Sequence, residues 1–119
     1  MLRTEWIEPG ALVVPYGTVS AVALDLTDVM DKIVVDDWGQ AGAGPLGALR
    51  AHVDSGRLSA NNLYAELGQI VCGARPGRES DTETILFWHR GLSLSDIALA
   101  HALLEQAATH GVGQRLRFA

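Results

Sequence analysis

Residues 64–96 read YAELGQIVCGARPGRESDTETILFWHRGLSLSD, and this stretch decides the fold. Leu63, Leu67, Ile70 and Val71 recur at helical spacing, with Ser59 placed to cap the helix they define. Gly73 stands where a left-handed C-cap belongs, and Cys72 falls on the helix's buried side. A charged loop then leads into residues 82–88 (TETILFW), a short apolar strand. Ser93 or Ser95 caps a second, longer helix in which Ile97, Leu99, Leu103 and Leu104 pack and which Gly111 closes. Helix, strand and helix in that order make a crossover unit whose strand end points at a ligand site.

Upstream, Pro9-Gly10 marks a turn before residues 11–16 (ALVVPY), a continuous apolar run of the kind that parallel sheets bury on both faces. Pro15 weakens that strand or confines it to an end, and Gly17 ends it. Residues 24–31 read as a short helix with Leu26, Val29 and Met30 on one face, and residues 32–37 (KIVVDD) as a second strand. A helix over residues 46–53 is entered through Gly44-Pro45 and stops near Gly56. The expected fold is α/β, a partial Rossmann-like (doubly wound) parallel sheet of about three strands with flanking helices. A complete doubly wound nucleotide domain has about six strands in two halves.

A chain of 119 residues fits one domain, and 48% hydrophobic residues with 13 glycines exclude a disordered segment. A net charge of -5 opposes nucleic-acid binding, which needs a basic face. The lone Cys72 excludes an internal disulfide and a cysteine-rich zinc site. The N-terminal residues are not those of a signal peptide, and no run approaches the roughly 18 apolar residues of a membrane span. A cytoplasmic protein without a membrane partner is expected.

The sequence contains no GxGxxG between a strand and a helix, and no P-loop, HExxH or GxSxG. Gly42, Gly44 and Gly47 are clustered, but beside Pro45 and Trp38 they do not read as a phosphate loop. His52, His101 and His110 lack partners at ligand spacing, so no metal site is expected. Adjacent strand residues point to opposite faces, so Asp36 and Asp37 read as caps of the following segment rather than a carboxylate pair. Arg75 and Arg78 flank Pro76-Gly77 in a loop whose charges would fix the approach to the third strand. Trp6, Trp38 and Trp88 would cover the core. Ligands of open parallel sheets sit outside the carboxyl ends of the strands, which selects Tyr16, Gly17, Thr18 and Val19 together with His89, Arg90 and Gly91. His89 could move protons near neutral pH, and Arg90 could clamp a carboxylate.

From Ala65 onward the pieces AELGQIVCG, RPGRESDTE, TILF, GLSLSDIALA and the turn at residues 111–113 resemble the C-terminal part of the ornithine cyclodeaminase/mu-crystallin family. WIEPGALVVPYG and KIVVDD are similar to the family's preceding strands, so the resemblance covers nearly the whole chain. It implies residues 1–119 as a single domain, the C-terminal portion of an NAD(P)-binding domain plus a C-terminal helix. It also implies a dimeric, NAD(P)-dependent enzyme of amino-acid metabolism, a cyclodeaminase (lyase), dehydrogenase or imine reductase. The family's substrate domain and glycine-rich loop would both precede Met1. Tyr16, Gly17, Thr18 and Val19 are then expected on the cofactor, and His89 and Arg90 in catalysis. Val19 stands where the family carries an aspartate, Ala23 lies near its lysine, and Trp88-His89-Arg90-Gly91 replaces an Asp-Ser-Thr-Gly-like turn.

The expected function is that of an inactive C-terminal piece of such an oxidoreductase, with NAD(P) binding weak or absent in the chain alone. Its partner would be another copy or a separately encoded N-terminal half, and an amino acid would be the substrate of the complete enzyme. A non-catalytic, self-associating or complementing interaction module is the alternative.

Overall fold

The computed structural model describes residues 1–17 and 20–117. Among these, strands β1 (Leu12–Val13), β2 (Lys32–Val35), β3 (Ala65–Glu66) and β4 (Ile85–Trp88) form one sheet in the order β1-β4-β2-β3, with every neighbouring pair parallel. The chain runs outward from β2 to β3 and returns to place β4 between β1 and β2. The α/β parallel class expected from the apolar runs is therefore the fold, and β1 stops at Val13, two residues before Pro15.

β2 is buried along its whole length, as a strand covered on both faces must be. Ile33 pairs with Leu86 and Val35 with Trp88, so these four share one face. On that face they join Leu26, Leu49 and Leu58 in the core. The opposite face carries Lys32, Val34, Phe87 and the positions that follow them, Asp36 and His89.

Polar contacts pin the register at the strands' amino ends. Asp31 Oδ2 accepts from the Thr84 backbone N–H at 2.7 Å and from its hydroxyl at 2.8 Å, while Thr84 Oγ1 accepts from Asp31 N–H at 3.1 Å. Lys32 Nζ donates to Glu79 Oε2 and to the Gly77 carbonyl, both at 2.6 Å, and lies 2.9 Å from Glu83 Oε1. Arg78 donates to the Glu83 carbonyl. The charges of the loop after Gly73 thus fix the approach to β4, as their positions suggested. Bonds from Thr84, first its backbone and then its hydroxyl, hold the Asp31 carboxyl below its ordinary range. The Glu79 backbone N–H, then Lys32, does the same for Glu83. Burial works against the Lys32 charge, but the Glu79 and Glu83 carboxylates outweigh it and raise its pKa.

The helices are α1 (Trp38–Ala43), α2 (Arg50–Asp54), α3 (Leu67–Val71) and α4 (Ser93–His110). Asp37 caps α1, accepting from Gln40 N–H at 2.6 Å. Several expectations need correction. The helix read from Ser59 begins only at Leu67, because Ala65 and Glu66 pair with Val34 and Val35 and take the strand conformation instead. A tertiary edge outweighs local periodicity there. The helix over residues 24–31 is a single 3-10 turn, Leu26–Asp28, which buries Leu26 while Val29 stays exposed. The helix over residues 46–53 forms only as α2. Cys72 is exposed, since the short α3 ends before it and never brings its thiol to the sheet. Trp6 is exposed, Trp38 packs against the core from its edge, and Trp88 lies wholly inside it.

Helix α4 departs furthest from expectation. Gly111 closes it in the left-handed conformation as anticipated, but none of its residues is buried. Ile97, Leu99, Leu103 and Leu104 are all exposed. The radius of gyration is 17.8 Å, against roughly 13–14 Å for a compact chain of this length. The helix extends away from the sheet, and its apolar residues are spread around its axis.

Candidate functional site at the carboxyl ends of the strands

The rim begins where β1 and β4 end. Tyr16 and His89 form a parallel bridge that continues the pairing of the two strands past Pro15. Their ring centroids are 5.6 Å apart and the rings are inclined by 31°. Phe87, two residues before His89 and so on the same side, brings its ring equally close, at 5.6 Å. Tyr16 is 72% exposed and the His89 side chain 38% exposed, so the imidazole sits against two aromatic neighbours with part of its ring open.

Gly17 and Gly91 end the two strands with φ of +86° and +92°, in the left-handed region that favours glycine. Nothing lies within 4 Å of where a Cβ would stand at either position. They are glycine because of how the chain turns, not for lack of room. Thr18 and Val19, the remaining residues of the expected cofactor-binding turn, lie outside the described residues.

Asp36 organises the rim from the end of β2. Its carboxylate is 1% exposed. Oδ2 accepts from the backbone N–H groups of Arg90 and Gly91, each at 2.8 Å, and Oδ1 accepts from Asp37 N–H at 3.0 Å. His89 Nδ1 is buried and lies 3.3 Å from Oδ2, but off the hydrogen-bonding line. Of the two adjacent aspartates only Asp37 caps the next helix. Asp36 instead ties β2 to the turn after β4. The sequence does not reveal that role, because the donors, Arg90 and Gly91, follow β4 and reach Asp36 only through the sheet. Glu66, at the end of β3, acts similarly by accepting from Trp38 N–H at 2.9 Å.

Arg90 turns away from Tyr16. Its Nη1 donates to the Gln40 carbonyl at 2.5 Å, and a Cβ on Gly44 would lie 2.6 Å from that nitrogen. A Cβ on Gly47 would lie 2.5 Å from Trp88 Cζ2. Gly44 and Gly47 therefore make space for the side chains of residues 90 and 88, while a Cβ on Gly42 would lie 3.1 Å from the Trp38 ring, so packing explains all three without a phosphate. Ala23 and Asp25 lie apart from these contacts, in a depression with Arg3, Thr4, Glu5 and Val29, where Thr4 Oγ1 donates to Asp25 Oδ1 at 2.5 Å.

The rim thus combines an aromatic wall, the glycines Gly17 and Gly91 and an imidazole backed by a buried carboxylate. Such a surface can accept a flat ring and move a proton beside it.

Comparison with known proteins identifies the fold and the family. The chain is 31% identical over 121 residues to an alanine dehydrogenase of Archaeoglobus fulgidus, covering 99% of this chain and 37% of the relative. The solved structure of an archaeal alanine dehydrogenase dimer with bound NAD superimposes with a TM-score of 0.80 at 30% identity, over 98% of this chain and 37% of that one. A Delta(1)-pyrroline-2-carboxylate reductase of Thermococcus litoralis, solved with NADH and L-proline, gives 0.79 at 27% identity, over 97% and 36%. The chain spans little more than a third of the length of these proteins. The description of the ornithine cyclodeaminase/mu-crystallin family matches residues 1–111, and the chain belongs to that family.

Proposed function

We propose that this chain supplies the nicotinamide-facing part of an NAD(P)-dependent oxidoreductase of amino-acid metabolism. It does so as one domain, the C-terminal portion of the NAD(P)-binding unit followed by α4. The observation that carries the reading is the Tyr16–His89 bridge, which brings two strand ends together where open parallel sheets hold their ligands. NAD(P), when bound, supplies a hydride acceptor or donor. Tyr16, Gly17, Thr18 and Val19 would lie against its nicotinamide end. His89 carries the proton that leaves or reaches the substrate nitrogen when an amine and an imine interconvert. Arg90, expected as a carboxylate clamp, fits better as an anchor between the rim and α1, because its guanidinium is held at Gln40.

Val19 cannot carry a proton, which favours dehydrogenation or imine reduction over cyclodeamination. The names of the relatives lean the same way. These 119 residues contain no glycine-rich pyrophosphate loop, so the chain alone binds NAD(P) weakly and turns over no substrate. Calorimetric titration with NAD(H) and a nicotinamide absorbance assay with a panel of amino acids test this. Micromolar affinity or measurable turnover by the chain alone would overturn it.

A second reading rests on α4. Apolar side chains of a helix are normally buried against a neighbour, and here the leucines of α4 are exposed. We infer that α4 is covered by another copy of the chain or by an N-terminal half in the assembled, cytoplasmic protein. A monodisperse monomer at high concentration would count against coverage by another copy. Failure to bind the N-terminal two-thirds of a relative would count against the other.

A further inference from the structure

We infer that Asp36 is a positioning residue that fixes His89 in its Nδ1–H tautomer and so reserves Nε2 as the atom that accepts a proton. Three backbone N–H groups, those of Asp37, Arg90 and Gly91, hold the Asp36 carboxylate in place. Rotating it away would strand the two donors on Oδ2. The buried Nδ1 of His89 is 3.3 Å from that oxygen.

A neutral imidazole has one N–H and one lone pair. With the lone pair on Nδ1, two acceptors would face each other in a site that excludes water, and their repulsion would be poorly screened. With the proton on Nδ1 the same contact becomes attractive. Because the contact is off-line, the selection is electrostatic and does not require a well-formed hydrogen bond. His52 provides the opposite case within the same chain. Its Nε2 lies 2.9 Å from the Ala23 carbonyl, which can only accept, so His52 carries its proton on Nε2. Two histidines of one small protein are thereby held in opposite tautomers by their neighbours.

The tautomer itself does not depend on any cofactor. Its consequence, that Nε2 is the working atom, rests on the reading of His89 as proton carrier given above.

Long-range proton–nitrogen correlation spectra of the 15N-labelled chain, recorded well above the ordinary histidine pKa, test the inference. A His89→Gln variant assigns the His89 ring. The expected result is Nδ1–H for His89 and Nε2–H for His52, with exposed His110 showing the solution mixture. An Nε2–H or mixed pattern for His89 in the unaltered chain would overturn the inference. In Asp36→Ser the His89 pattern should move to that of His110, and an unchanged Nδ1–H pattern in the folded variant would also overturn it. Should that variant fail to fold, the unaltered chain still decides the matter. Loss of the NAD(P) reading would leave these spectra unchanged, so the two failures can be told apart.

Discussion

Tyr16 and His89 meet across a parallel bridge with their rings 5.6 Å apart, although one follows the first strand and the other the last. The bridge exists because β4 returns to the middle of the sheet, between β1 and β2. Residues far apart in sequence thereby share one rim. Asp36, at the end of the neighbouring strand, completes it from the other side.

Replacing Asp36 should cost stability as well as position. Asp36→Ala leaves the Arg90 and Gly91 N–H groups without their acceptor, and a buried donor left unpaired costs about 1–3 kcal/mol. Urea unfolding should show a loss of about 2–4 kcal/mol. A change under about 0.5 kcal/mol would mean that water replaces the carboxylate freely.

Two glycines of similar appearance should respond differently to alanine. At Gly17 the added methyl meets open space, so only the backbone preference opposes it, about 1 kcal/mol. At Gly47 the φ of +145° is combined with a Cβ position 2.5 Å from the buried Trp88 ring. Gly47→Ala should cost about 2–4 kcal/mol and alter tryptophan fluorescence. Equal losses at the two sites would contradict the packing described for residues 44–47.

The amino ends of the strands should govern the response to acid. Asp31 and Glu83 are more acidic in the fold than in the unfolded chain, where their values are 3.8 and 4.5. The stability they contribute is complete above those values and is lost as the pH falls through the lowered ones. Lys32 behaves oppositely, contributing fully below 10.5 and losing its contribution only as the pH rises through its higher folded value. The urea midpoint should therefore hold between about pH 5 and 8 and decline below about 4. Asp31→Asn should lower the plateau and make the decline shallower. An unchanged slope would show that Asp31 is not one of the groups responsible.

Charging α4 should leave the fold intact. Leu103→Glu combined with Leu104→Glu removes exposed leucines that touch nothing in the core. Stability should change by no more than about 0.5 kcal/mol, while size-exclusion chromatography shows less self-association. A large loss of stability would mean that α4 packs on its own sheet.

Much of this architecture was legible because its signals are local. KIVVDD announces a buried strand, Gly111 a helix end, and Pro15 a weakened β1. The two-residue strand β3 was not legible, since Ala65 and Glu66 sit within a helical pattern and are extended only because β2 offers an edge. Nor was α1, whose Gly39 and Gly42 argue against a helix that Asp37 and Glu66 nevertheless hold at its start. The rim position of His89 could be read from strand order alone. The role of Asp36 could not, because its two key donors lie 54 and 55 positions later. The orientation of Arg90 depended likewise on a carbonyl 50 positions earlier.

The most direct test of the account is an NMR titration of the 15N-labelled chain with NADH. Weak, millimolar binding is expected, with shifts confined to Tyr16, Gly17 and the turn from His89 to Gly91. Micromolar binding, or shifts centred on Arg75 and Arg78 at the other end of the sheet, would contradict it.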